Sequence, residues 1–581
     1  MADDSLKKGR YTKYGNKIGL YSNSKGSFIK NDTSVVLNFP FKDAVLEAGM
    51  SKEDVEREER FLHMELDSKD IDTLEEPKVL TSFQYIDKDG EKALNAHDDI
   101  EFFDTDGNLN QNLLIKGNNL LALYTLREKL AGQIKLIYID PPYNTGNDGF
   151  KYNDSFNHSA WLAFMKNRLE IAKEMLRDDG VIFVHCDDNE QAYLKVLMDE
   201  IFTPSNFQAT IINNATPNGR DYGAFAQNQE YIHVYSKDVS SVKMYKIAED
   251  NLAKYNKEDS IGKYYLHPLF NSNSNFHKNN RPNLYYPFYV SQQQNNEGYH
   301  NLSLTKEEHS VEVFPPISRK DGTEFVWRWG KEKSTQNLNV EIVGQKMSNG
   351  EYRVAQKMRL SDKLPRTIWS DSGFSNRRGT EELQSLFNGK IFAYPKSEEL
   401  IKEIITIATS EGDTVLDFCL GSGTTAAVAH KMNRRWVGIE QMDYIETVAK
   451  ERLRKVVAGE QGGISEDVGW KVGGSFVYFE LKKYNQEYAD RIMEATSLSE
   501  LEDLYVDMRN NAFLKFWFDR NVFEKDEDFR KLDLDGRKKA LVEVLDENQL
   551  YLNYADMGDT RHKVTADEKT LTDRFYGTTE N

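Results

Sequence analysis

Residues 134–143 read Ile-Lys-Leu-Ile-Tyr-Ile-Asp-Pro-Pro-Tyr, a short apolar run that ends in Asp140, Pro141, Pro142 and Tyr143 and continues into Asn144, Thr145 and Gly146. Such a run predicts a buried strand, and the two prolines predict a rigid turn, because each fixes φ, donates no N–H and restricts the residue before it. The Asp140 carboxylate and the Pro141 carbonyl are then held in a set direction at a sheet edge. Two fixed acceptors meet a specific chemical need. The exocyclic amine of a nucleobase is a poor nucleophile, since its lone pair is delocalised into the ring, and acceptors on its two hydrogens restore the nucleophilicity. Tyr143 would offer an aromatic face to a base extruded from a duplex. The plain alternative is a strand-ending turn that happens to contain two prolines.

A second constellation lies far downstream. Thr414, Val415 and Leu416 lead into Asp417-Phe418-Cys419-Leu420-Gly421-Ser422-Gly423-Thr424-Thr425, and the apolar stretch 426–432 follows, giving strand, glycine turn and helix. The glycines allow close backbone approach to a ligand, and nineteen positions past Gly421 the strand 436–439 ends at Glu440, placed to bind ribose hydroxyls. A nucleoside cofactor is implied. No Lys follows the second glycine, as a P-loop would need, and the three-glycine dinucleotide pattern is missing. A turn made for tight packing is the other reading of these glycines.

The elements that must position these residues belong to a chain of 581 residues, long enough for several domains. With 39% hydrophobic and 12% aromatic residues it is predicted to be mostly globular. No window has the length of apolar residues a membrane helix requires, and the start is polar, so a cytoplasmic location is expected. Two cysteines, Cys186 and Cys419, stand far apart with no metal-ligand spacing, which predicts a reducing compartment and no metal. Cys419 reads as a small buried residue and His185 as a sheet-end histidine without a role. The net charge is -19. It is unevenly spread: residues 205–370 hold 21 Lys+Arg against 17 Asp+Glu, leaving 54 against 77 elsewhere. That basic middle also carries Tyr285, Tyr286, Phe288, Tyr289, Trp327 and Trp329, a mixture that suits a nucleic-acid surface or, equally, a buried aromatic core.

Taken together, the Asp-Pro-Pro-Tyr motif and the later Gly-x-Gly loop resemble those of S-adenosylmethionine-dependent DNA amino-methyltransferases. Their order, catalytic motif, long insertion, cofactor motif, is that of the beta class, whose insertion is the target-recognition domain. Residues 392–397 followed by the helix pattern 398–408 resemble the family's additional cofactor motif, whose Lys position, here Lys396, lies near the methionyl end of the cofactor. The stretches 144–156, 161–177 and 181–191 also resemble the Mod subunits of type III restriction-modification systems, as do 36–43, 77–81 and 548–551. One departure is Cys419, which stands where the family has an aromatic residue; Phe418 is the expected substitute.

The resemblance implies an α/β, Rossmann-like methyltransferase sheet in permuted order, with S-adenosylmethionine held by Asp417, Phe418, Gly421, Gly423, Thr424, Glu440, Lys396 and Asn118. Asp140, Pro141, Pro142 and Tyr143 would form the catalytic site, and an Asp opening the motif favours adenine N(6) over cytosine N(4). The expected organisation is an N-terminal region 1–110 with an acidic helical stretch at 51–70, a catalytic half 111–204, a target-recognition domain 205–370, a cofactor half 371–480 and a helical partner-binding region 481–581. Arg328, Lys331, Lys333, Arg377 and Arg378 are candidate contacts to double-stranded DNA, since Arg suits phosphate and guanine. A homodimer is implied by the family alone. With no nuclease constellation in the chain, cutting would need a separate restriction subunit. A non-catalytic recognition subunit and a cytosine N(4) or RNA methyltransferase are the alternatives.

Overall fold

The computed structural model describes residues 75–145, 158–219, 224–249, 252–514, 520–524, 529, 531–545 and 550–578, preceded by short strands at Tyr11–Thr12, Gly19–Ser22, Ser27–Phe28, Val36–Asn38, Ala44–Leu46 and Phe61–His63. Several stretches singled out above, 39–43, 51–60, 64–70, 146–156 and 548–549, lie outside these residues; within the acidic stretch expected to be helical, Phe61–His63 is a strand. The chain divides into two units, 1–245 with 366–581, and 246–365.

The first unit is built on a mixed sheet of eleven strands. In chain order they are β1 (Leu80–Asp87), β2 (Gly90–Ala93), β3 (Asn112–Lys116), β4 (Ile134–Ile139), β5 (Leu176–Cys186), β6 (Phe207–Asn213), β7 (Glu230–Ser236), β8 (Ile368–Trp369), β9 (Thr414–Asp417), β10 (Arg435–Glu440) and β11 (Ser475–Leu481). They lie side by side as β8-β6-β7-β5-β4-β9-β10-β3-β11-β1-β2. The six strands from β5 to β11 in that order run parallel. Every residue of β3 and β4 is buried, the signature of strands covered on both faces.

The covering helices include α1 (Asn119–Leu130), α2 (His158–Met175), α3 (Gln191–Phe202), α4 (Asn376–Phe387), α5 (Glu398–Ala408), α6 (Thr424–Lys431) and α7 (Glu451–Val457). Helix α5 shows why the sequence folds this way. The Ser397 side chain caps it by accepting from Leu400 N, two glutamates occupy its first turn, and Leu400, Ile401, Ile404, Ile405 and Ala408 form its buried stripe. One apolar core joins the sheet to its helices, from Leu113 and Leu126 through Ile137, Trp161 and Val184 to Phe418, Ile439 and Phe479. The permuted α/β architecture is therefore present. Strand β4, which runs into the Asp-Pro-Pro-Tyr turn, and β9, which runs into the glycine loop, are neighbours, with Leu136 opposite Val415 and Ile137 opposite Leu416.

Two expectations are corrected, and one open alternative is decided. The insertion does not begin at 205: β6 and β7 pair with each other and β7 pairs with β5, so these strands extend the sheet, and the separate unit starts at 246 and ends at 365. They mix polar residues (Gln208, Thr210, Asn213, Glu230, His233) with apolar ones, which reads as loop-like in sequence but satisfies a sheet ladder. In the inserted unit, Tyr286, Phe288 and Trp327 are buried together with Leu269, Val290, Leu302, Ile342 and Val354, so this part of the aromatic cluster is core and not surface. That core lies on a seven-stranded sheet whose strand pairs are antiparallel. Finally, the helical region after 481 uses its apolar faces within the chain. Ile492, Leu501, Leu504, Met508 and Leu541 bury one another across α8 (Asn485–Glu494), α9 (Leu498–Asn511) and α10 (Leu534–Glu543), while Leu571 and Phe575 of α11 (Ala566–Tyr576) enter the core of the main sheet.

Candidate active site

Parallel strands deliver their C-terminal ends to one edge of a sheet, and ligands bind in the crevice there. Here that edge carries Asp140 after β4, Asp417 and the glycine loop after β9, and Glu440 at the end of β10.

The turn after β4 is braced on both sides. Trp161 Nε1 donates to the Pro142 carbonyl at 2.7 Å, and no described residue donates to that of Pro141. Asn144, at φ 60°, donates through Nδ2 to Glu190 Oε1 at 2.6 Å. The Tyr143 hydroxyl donates to Asp140 Oδ1 at 2.5 Å. Asp140 Oδ2 has no hydrogen bond among the described residues, so one carboxylate oxygen and one carbonyl stand ready as acceptors.

The loop after β9 wraps around a buried carboxylate. Glu440 accepts from Gly421 N at 2.9 Å through Oε2, and from Gln441 N at 2.8 Å and Met442 N at 3.0 Å through Oε1. Gly421 and Gly423 have φ of 55° and 79°, the left-handed region that side chains disfavour, and a Cβ on Gly423 would stand 3.3 Å from Ala449. Asp417 accepts from Cys419 N at 2.9 Å. Burial, helped by the nearby Asp140 and Glu440 charges, outweighs this bond and one from Thr425, raising its carboxyl to about 7. Burial likewise raises Glu440.

Two clefts open at this edge. The first, about 770 Å³ including its solvent-open part, is lined by Asn119, Phe392, Asp417, Gly421, Glu440 and Gln441 among others. Its chemistry fits a ribose-bearing cofactor: Glu440 supplies a carboxylate, and Gln441 Oε1 is a buried acceptor with no hydrogen-bond partner among the described residues. The second, about 970 Å³, is lined by Pro141, Tyr143, Thr216, Gln229, Glu230 and Asn376 among others. Asp140, Tyr394 and Lys396 line both.

The family pattern described as DNA methylase matches residues 134–451. A Haemophilus influenzae protein described as the Mod subunit of the type III restriction-modification enzyme HindVI is 36% identical, over 97% of this chain and 88% of its own length. The chain belongs to the Mod subunits of the DNA methylase family. The EcoPI Mod subunit of Escherichia phage P1 is 34% identical, covering 59% of this chain and 58% of its own, and the type II methyltransferase M.KpnI of Klebsiella pneumoniae is 33% identical, covering 55% and 76%.

In this methylase the cofactor candidates divide by task. Glu440, Asp417, Gly421, Thr424 and Lys396 line the first cleft. Asn118 instead caps α1, accepting from Leu120 N and Leu121 N, and it is Asn119 that reaches the cleft, donating to the Phe418 carbonyl at 2.9 Å. Phe418 belongs to the apolar core and, with Cys419, is also among the residues lining the first cleft. Thr424 Oγ1 accepts from Arg452 Nη1 at 2.7 Å and donates to the Lys396 carbonyl at 3.2 Å, tying the loop to the start of α5.

The DNA candidates fall in both units. Arg377 and Arg378 occupy the first turn of α4 and pair with Glu381 and Glu382, next to Asn376 in the second cleft. In the inserted unit Arg328 Nη2 is 2.8 Å from His267 Nδ1, Lys331 lies 5.6 Å from the Tyr286 ring and Lys333 4.4 Å from that of Trp329.

Sequence reasoning missed a buried network behind Asp140. Lys396 Nζ is 3.0 Å from Glu230 Oε2 and 3.5 Å from Asp140 Oδ1. His185 Nε2 is 2.9 Å from Glu230 Oε2, and His185 Nδ1 is 3.0 Å from the Tyr138 hydroxyl. Burial opposes charge on Lys396, but Asp140 and Glu230 prevail and raise it, keeping the ammonium. Burial would raise Glu230; the Lys396 charge and bonds from His185 and Asn376 instead hold it well below the usual carboxylate range. The one signal in sequence is Glu230 itself, an acidic residue opening the otherwise uncharged strand Tyr-Ile-His-Val-Tyr-Ser.

Proposed function

We propose that this chain is the modification and recognition subunit of a type III restriction-modification system, an S-adenosylmethionine-dependent methyltransferase acting on adenine N(6) in double-stranded DNA. The observation that carries this reading is the meeting of two clefts at Asp140: one has the acceptors for a nucleoside cofactor, and the other has the braced Asp-Pro-Pro-Tyr turn. S-adenosylmethionine, when bound, supplies a methyl group activated by its sulfonium.

The protein does the rest by placement. Glu440 and Gln441 take the ribose end, with Gly421 allowing the loop to close on it. The target base enters the second cleft beside Tyr143, whose ring is oriented in advance by its hydroxyl bond to Asp140. Asp140 Oδ2 and the Pro141 carbonyl accept the two amine hydrogens, directing the nitrogen lone pair out of the ring plane. As positive charge develops on that nitrogen, the carboxylate stabilises it and takes the released proton. Reactants already aligned in a partly dry cleft need no covalent enzyme intermediate.

The same reading has the 246–365 unit choosing the sequence, Arg377 and Arg378 holding the strand near the cleft, the subunit pairing with a second copy, and a separate restriction subunit doing the cutting in the cytoplasm. Incubation of the purified protein and Asp140→Ala with labelled S-adenosylmethionine and mixed-sequence duplex DNA, followed by digestion to nucleosides, tests it. Label on adenine that is lost in the variant is expected. Label on cytosine would reassign the base, and binding without any label would refute catalysis.

A further inference from the structure

We infer that Glu230 is a positioning residue whose task is to hold the Lys396 ammonium away from Asp140, so that the catalytic carboxylate stays available to the target amine. The inference rests on the methyl-transfer reading above.

Lys396 is 7% exposed, and among the described residues only two carboxylates lie within 4 Å of its Nζ. A buried ammonium must be paired, and it moves to whichever partner offers the better geometry. Here it sits nearer Glu230, at 3.0 Å, than Asp140, at 3.5 Å. That difference has a structural cause. Strand β7 runs antiparallel to β5, with Cys186 opposite Tyr231, so it brings its first residue, Glu230, to the same edge where the parallel strands end. Once there, Glu230 is fixed from two further elements. Asn376, at the start of α4, donates to Oε1 at 2.6 Å, and His185, near the end of β5, approaches Oε2 at 2.9 Å.

The arrangement matters because the charge on Asp140, and not its number of lone pairs, is what activates the amine. Its Oδ1 already takes the Tyr143 hydroxyl. If Lys396 paired fully with Asp140, a strong charge-assisted bond would draw electron density from the group that must activate a weakly nucleophilic amine. Glu230 prevents this by competing for the cation. Two carboxylates share one ammonium, and the excess negative charge remains on the side where positive charge develops during transfer. A bond between Glu230 and Lys396 needed only for folding could lie anywhere in the core; this one lies on the wall of the second cleft.

The test uses full-length wild-type protein, Glu230→Gln, Asp140→Asn and the double variant. Single-turnover methylation of duplex DNA at saturating S-adenosylmethionine is expected to slow roughly 10²-fold in Glu230→Gln, as for a misplaced catalytic group. Cofactor binding measured by calorimetry is expected to be unchanged. A readout independent of activity is the thermal midpoint. Asp140→Asn is expected to lower it little in the wild type, where Glu230 still pairs Lys396, and much more in Glu230→Gln, where it removes the last acidic partner. Additive midpoints, or a Glu230→Gln rate equal to wild type, overturn the inference. Absence of methylation by the wild type itself would instead overturn the reading on which it rests. Should Glu230→Gln not fold, Glu230→Asp, which withdraws the charge by one methylene, is put through the same cycle, with the same non-additivity expected and additivity again decisive against it.

Discussion

Replacing Asp417 by Asn is expected to make the ligand-free protein more stable, by an amount that depends on pH. Asp417 is 3% exposed, and burial raises its carboxyl from 3.8 to about 7. Between those two values the folded chain keeps a proton that the unfolded chain has released, so each step up in pH favours unfolding. The stability associated with the protonated group is complete below 3.8 and is lost as pH rises through 7. Asparagine imitates the protonated acid at every pH, retaining the oxygen that accepts from Cys419 N. The advantage of Asp417→Asn is therefore about 2 kcal/mol at pH 5 and about 4 kcal/mol at pH 8, where it levels off. Burial raises Glu382 to about 7 too, but that contribution is the same in both proteins and cancels from the difference. Urea unfolding of the two proteins at half-unit intervals from pH 5 to pH 8 measures the gap. A gap that stays constant across this range would show that Asp417 is not held protonated by burial, and the reasoning would fail.

Two further substitutions probe the cofactor cleft. Glu440→Gln cannot accept from Gly421, Gln441 and Met442 with both terminal atoms, so S-adenosylmethionine affinity is expected to fall roughly 10- to 100-fold in calorimetry, the worth of one or two bonds to a charged group; an unchanged Kd would remove Glu440 from the site. Gly379→Ala puts a Cβ against the Pro395 carbonyl oxygen and 2.7 Å from the Lys396 carbonyl carbon, so the backbone carrying Lys396 must shift. A stability loss of about 1–3 kcal/mol in urea titration is expected, with turnover falling further than cofactor affinity. Unaltered turnover would mean that the position of Lys396 is not critical.

The chemistry at the sheet edge was legible because it is local. Asp140 to Tyr143 and Gly421 to Gly423 are contiguous stretches whose backbone restrictions can be read from residue type alone, and each follows an apolar run that marks a buried strand. The network behind Asp140 was not legible. Glu230, His185, Asn376 and Lys396 come from four places in the chain, and only the antiparallel insertion of β7 beside β5 brings them together. That strand was missed for a related reason. Its neighbour β6 and the stretch between them are rich in Asn and Gln, a composition shared by the inserted unit, so the boundary was set some forty residues early. Asn118 and Asn119 show the limit of motif reading at single-residue resolution: both are amides in the same turn, but the first is taken up by the helix cap and the second lines the cleft.

Near its two ends the inserted unit is closed by a bridge, where Ile247 and Lys363 exchange backbone hydrogen bonds of 2.9 and 2.8 Å. The two ends of a segment of more than a hundred residues are thus held side by side, as the ends of a hairpin are. No residue of the ladder from β5 to β11, and none lining the first cleft, lies between those two. On the proposal that the 246–365 unit chooses the sequence, a lineage could exchange the DNA sequence it marks without altering any residue of the sheet or of the two clefts, as long as the exchanged segment returns to the same two residues.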